Sequence, residues 1–202
     1  MGKCRNILLS TVSVPDRYGK TPFHILCING YLNIIKYLIE NCRDEIASTI
    51  SITNTKCETP FYILCDKGHL NIIKYLIGNC RDLIEPTISI HNNKCETPFY
   101  RLCYNGNLDI IKYLMGECRN VVLSILSTPN QYGDTPFYIL CDKGHLEIIK
   151  YLVNNCPDEL LPSVYISNKQ GKTPFYILCN NNVEILKYLI NIKFIPSLGI
   201  DL

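Results

Sequence analysis

Twelve cysteines and four histidines stand in this 202-residue chain. By type they could close disulfides, ligate zinc or supply a thiolate nucleophile. Spacing decides among these. Cys27, Cys65, Cys103, Cys141 and Cys179 recur every 38 residues, and so do Cys4, Cys42, Cys80, Cys118 and Cys156. Such columns occupy equivalent places in neighbouring structural units, whose helices pack roughly 8–10 Å apart. That is beyond the reach of a disulfide. No CxxC occurs, so zinc lacks its usual ligand spacing. Both columns are therefore expected to hold buried, reduced thiols that pack as small apolar groups. Reduced thiols imply a reducing compartment, the cytosol or the nucleus. Cys57 and Cys95 form a third column, in a turn, and are the more reactive candidates.

The remaining groups do not assemble a reaction centre. His69 and His145 share the position after a glycine and read as structural. His24 opens a helix, and His91 lies near a turn. There is no Ser–His–Asp or Cys–His grouping, no P-loop and no GxGxxG. Asp44 and Glu45 read as helix-start charges rather than a catalytic pair. The expectation is a non-enzymatic protein with no catalytic residue, cofactor or metal. Twenty Lys and Arg against 18 Asp and Glu leave a net charge of +2. That supplies no strong field for nucleic acid, so none is expected as a partner. No apolar run approaches the roughly 18 residues of a membrane span.

The elements that position these columns are repeated. Thr-Pro-Phe begins at 21, 59, 97, 135 and 173, always 38 residues on. "TPFYILCDKGHLNIIKYLI" from Thr59 returns almost unchanged from Thr135. A period of this length marks stacked modules, each covering the apolar side of the next. Thr is a good N-cap and Pro fits the first helical position. Phe61, Leu64 and Cys65 then share one face of a short helix, which Gly68 ends in a left-handed cap. Leu70, Ile73, Leu76 and Ile77 form the face of a second helix. Lys36, Lys74, Lys112 and Lys150 fall on its solvent side.

The segments after the second helix carry Pro157, Pro86 and Pro162. "PDEL" reads as a fresh helix start, and the later prolines as its end. One extra helical turn per unit is predicted, near 159–161 and its copies. "TISI" and "SVYIS" should then run extended. At the N-terminus, Gly2 and Cys4 suggest acylation, but Asn6 stands where Ser or Thr is wanted. "MGKCRNILLSTVSVPDRYG" instead aligns with the segment from Met115, so it reads as repeat register.

These units resemble the ankyrin repeat. "GKTPFHILCINGYLNIIKYLI" (19–39) carries the family's Thr-Pro opening, His24, the inter-helix Gly30 and the Lys-containing second helix. "NQYGDTPFYILC" (130–141) carries its turn, with Gly133. Three departures stand out. His24 becomes Tyr62, Tyr100, Tyr138 and Tyr176, which cannot reproduce a local His–Thr hub, so packing must compensate. The turn glycine of 19, 133 and 171 becomes Cys57 and Cys95, which tolerate positive φ poorly. The period is 38 where the family's is about 33.

The resemblance implies an all-α solenoid of stacked helix-turn-helix repeats with hairpin-like turns, one domain over 1–202. Residues 1–20 are a partial repeat and the unit from 173 is incomplete. It further implies non-catalytic protein–protein recognition through a concave face of turn tips and opening helices. Carried over column by column, that face is Arg17, Tyr18, Ile25, Lys56, Ile63, Lys67, Arg101, Tyr104, Tyr132, Ile139, Lys143 and Ile177. The isoleucines would form an exposed apolar stripe, with Arg101 and Tyr104 as anchors in the middle unit. The partner is a protein that the residues do not identify. The competing reading is a structural spacer, or a fragment of a larger multidomain protein whose activity resides elsewhere. The terminal units, lacking a polar outer cap, are expected to permit end-to-end association.

Overall fold

Each unit opens alike for one local reason. Thr21, Thr59, Thr97, Thr135 and Thr173 have extended backbone, and each hydroxyl accepts from the N–H three residues on. Pro follows at the first helical position. The opening helices are Pro22–Asn29, Pro60–Lys67, Pro98–Asn105, Pro136–Lys143 and Pro174–Asn181. The computed structural model describes residues 12–195. The acylation reading at Gly2 and Cys4 lies outside them.

Four opening helices stop at Gly30, Gly68, Gly106 and Gly144, with φ between 71 and 76°. Space demands glycine there as well as φ. A Cβ on Gly106 would stand 2.6 Å from His145 Cε1 of the following unit. His69 and His145 are therefore packing residues, as their column suggested. Return helices follow at Leu32–Asn41, Leu108–Glu117, Leu146–Asn155 and Val183–Asn191; the second unit's continues from Leu70 through a kink to Ile84.

The extra residues differ from the single turn expected. Cys42, Cys80, Cys118 and Cys156 share φ between −125 and −150°, which breaks the return helix at one column. A third helix starts immediately after, at Arg43–Ala47, Arg119–Ile125 and Pro157–Tyr165. Pro157 takes the first position, and Asp44 and Glu45 lie in a first turn as read. Pro162, however, sits inside its helix, and Pro86 sits within a 3-10 turn, Glu85–Thr87. Residues 163–165 are consequently helical and 48–51 form turns, so the extended runs begin only at 52 and 166. Each third helix adds to the core behind the return helices, through Ile46, Val122 and Leu160.

Burial along the columns gives the stacking sense. Ile34 is 47% exposed, while Ile72, Ile110, Ile148 and Ile185 are each 2% exposed. That column faces the preceding unit. Tyr176 is 50% exposed, against 3%, 3% and 8% for Tyr62, Tyr100 and Tyr138. That column faces the following unit. The architecture is an all-helical stack of five like units, with no strand among the described residues.

Candidate interaction surface

The turn tips are built on an asparagine column. The side-chain carbonyls of Asn54, Asn92, Asn130 and Asn168 each accept from the N–H groups two and four residues on. Asp16 does the same in the first tip. Adjacent tips are joined through the main chain. Thr55, Asn93, Gln131 and Lys169 donate to the carbonyls of Tyr18, Lys56, Lys94 and Tyr132, at 2.8–3.0 Å. The ladder presents the tip side chains in a row without forming strands. Its 38-residue spacing was open to sequence reading, which passed the asparagines over because they looked like ordinary turn residues.

The histidine-to-tyrosine exchange changes how units are tied. Thr21 N–H donates to His24 Nδ1 at 3.1 Å, so Nε2 carries the proton and donates to Glu58 O at 3.2 Å. Tyr62 reaches the same place in the next unit. Its hydroxyl donates to Glu96 Oε2 and accepts from Asn92 Nδ2, both at 3.0 Å. The Tyr100 hydroxyl accepts from Asn130 Nδ2 at 2.9 Å. The tyrosines give up the contact with Thr, and the crossing bond that His24 makes to a main-chain carbonyl becomes bonds to side chains of the next unit.

Cys57 and Cys95 do adopt left-handed backbone, each with φ 59°, and both thiols are exposed. The core columns are buried thiols, without disulfides among the described residues. Burial raises the thiol of Cys156 to about 11 and pushes up Cys27, Cys65, Cys103 and Cys141 further. Cys179 departs from its column and is exposed.

The expected isoleucine stripe is not present. Ile63, Ile139 and Ile177 are buried, and only Ile25 is exposed. This column lies against the preceding opening helix, so only the first unit leaves it open. Arg101 occupies the same column and therefore meets the unit before it. Its Nε donates to Asp66 Oδ1 at 2.6 Å. Burial alone would raise the Asp66 carboxyl, but Arg101 and Lys67 hold it below the usual carboxylate range.

The same guanidinium lies 4.7 Å from the Tyr104 ring centre, and Lys143 stands 5.0 Å from that ring. Tyr104 is thus an exposed ring with two cations against it. Arg17 covers Tyr18 likewise, at 4.7 Å. Tyr132 and Lys56 project from their tips, and Lys67 pairs with Asp66 at 3.3 Å. Between tips and opening helices of the second and third units lies a polar cleft of ≈ 390 Å³. Lys56 and Lys94 line its tip side, and Tyr62, Asp66 and Arg101 its helix side. The structure therefore gathers Arg101, Tyr104, Lys143, Lys67 and Lys56 on one face and withdraws three isoleucines from it.

The Lys36, Lys74, Lys112 and Lys150 column is solvated as read, and each ammonium also lies 5.4–5.7 Å from a tyrosine ring of the next unit. No described helix is long and apolar enough to cross a membrane. Models described as ankyrin repeats (3 copies) match residues 45–123, 79–157 and 117–196. A model described as ankyrin repeat matches residues 18–47. Comparison with curated proteins gives no match.

Proposed function

The chain belongs to the ankyrin repeat family, and from that premise we propose that it is a non-catalytic recognition module binding a protein through its concave face. Repeats of this kind are generally protein–protein interaction modules. The observation that carries the choice of face is Tyr104, exposed yet held between Arg101 and Lys143. A ring that already has cations against it enters a contact with part of its surroundings in place, and Tyr and Arg are the commonest interface anchors. Around it the tips differ from unit to unit. Tyr18 and Tyr132 supply further exposed rings, and Lys56 and Lys94 a cationic edge to the cleft.

The test is binding of a partner captured with the intact chain. Replacing Arg101 and Tyr104 together by Ala is expected to weaken it by more than about tenfold. Asp109→Asn, exposed on a return helix, should leave it unchanged. Equal affinity for the double variant and the parent rejects this face. A second reading concerns the ends, where Ile34 and Tyr176 leave apolar surface open. It has the terminal units associating with another molecule.

A further inference from the structure

One column of the turn tips holds Tyr18, Lys56, Lys94 and Tyr132, each two residues after the Asp or Asn that builds its tip. These are the residues whose carbonyls accept the bonds that join tip to tip. Their main chains are therefore held in one row. Tyr18 and Tyr132 are 50% and 57% exposed, and Lys56 and Lys94 between them are exposed as well. The row reads ring, cation, cation, ring, an order that the small net charge of +2 conceals.

The carboxylates behind the row are already engaged. Glu58 accepts from Asn54 Nδ2 at 2.7 Å, and Asp134 from Asn168 Nδ2 at 2.9 Å. Glu96 accepts from the Tyr62 hydroxyl and from Asn92 Nδ2, both at 3.0 Å. Asp66 is taken by Arg101 and Lys67. Lys56 and Lys94, by contrast, form no ion pair with any described residue. Two solvated ammonium groups thus edge a cleft whose own acids hold tips and helices together.

Spacing limits what can meet them. Units packed helix on helix repeat at roughly 8–10 Å. An extended chain covers about 10 Å in three residues. We propose that the partner offers the concave face an extended acidic segment. Its carboxylates stand three residues apart over Lys56 and Lys94, and an apolar side chain three residues beyond on either side meets Tyr18 or Tyr132. This names the chemistry of the partner and rests on the concave-face reading above. Nucleic acid fits the face less well. Glu58, Asp66 and Glu96 line the same cleft and repel a backbone charged at every nucleotide, whereas a peptide carries charge only where the lysines stand.

Fluorescence anisotropy of labelled synthetic peptides, titrated with the full chain, tests this. The first peptide is Leu-Gly-Ser-Glu-Gly-Ser-Glu-Gly-Ser-Leu. The second has Gln for both Glu, and the third exchanges the Glu and Leu positions. The first is expected to bind more tightly than either other, by roughly three- to tenfold at low ionic strength, as two exposed ion pairs allow. That preference should shrink as salt is added. Lys56→Gln with Lys94→Gln should abolish it. Both side chains are exposed, so helicity by circular dichroism should match the parent. Equal affinity for the three peptides overturns the inference. If such binding is nonetheless lost in the Arg101→Ala, Tyr104→Ala double variant, the concave face stands and only the acidic chemistry falls. Binding indifferent to both pairs of substitutions overturns inference and face together. Labelled oligothymidylate bound more tightly than the first peptide makes this a nucleic-acid surface and likewise overturns the proposal.

Discussion

His24 is the one imidazole in a column otherwise filled by tyrosine. Burial lowers its pKa, against the raising effect of the bond to Glu58 O. The folded state therefore prefers the neutral ring. The unfolded chain has the ordinary value near 6.5. As pH falls through that value the unfolded state takes up the proton first, so stability declines until the lower folded pKa is passed. His24→Tyr removes this contribution. The second unit offers Asn54 and Glu58 in the places where Asn92 and Glu96 receive Tyr62, so the new hydroxyl has partners. Denaturation midpoints at pH 7.5 and 5.0 are expected to differ more for the parent than for the variant. Equal pH dependence would show that the ring is not neutral in the fold. Cys57 and Cys95 mark the opposite limit of reading by residue. They replace a turn glycine and tolerate positive φ poorly, yet both take the left-handed backbone despite a strain of roughly 1–2 kcal/mol each. The tip ladder imposes one backbone on every unit whatever residue fills it.

The opening helices were legible because Thr, Pro and Gly act within a few bonds of their own backbone. The third helices are longer than their prolines suggest, since proline ordinarily stops a helix. Pro162 lacks an N–H and leaves the Asp158 carbonyl without its helical donor. The segment is nonetheless helical, because Leu160 and Val164 are anchored in the core. Tertiary burial outweighs the local preference, which single-sequence punctuation does not register. Pro162 is exposed and contributes no buried surface. Pro162→Ala should accordingly stabilise the chain by about 1–2 kcal/mol, the restored hydrogen bond exceeding the lost rigidity of the unfolded state. A denaturation midpoint at or below the parent's would mean that the proline is favoured where it stands. The isoleucine stripe failed for a related reason. Helical periodicity says which face of a helix a side chain occupies, but not whether another unit lies on that face. Ile25 and Ile63 are alike in sequence and opposite in burial.

Across the whole molecule, translation along one axis makes position in the stack a physical variable. Each unit touches only its neighbours, so stability is close to a sum of unit and junction contributions. An inner side chain is covered from both sides and a terminal one from only one. The phenylalanine column shows this at the fifth unit, whereas Phe23 of the first unit is as buried as the inner ones. Phe99 is fully buried in the third unit, and Phe175 only partly in the fifth. Phe99→Ala should cost about 3–5 kcal/mol, the usual penalty for emptying an aromatic site in a packed core. It should also weaken the coupling between the two halves, so that unfolding broadens or divides into two steps. Phe175→Ala should cost distinctly less and leave the rest of the stack cooperative. Chemical denaturation of both variants, followed by circular dichroism, separates the cases. Equal losses at the two positions would mean that the chain unfolds as a single unit, in which the end is as well covered as the middle.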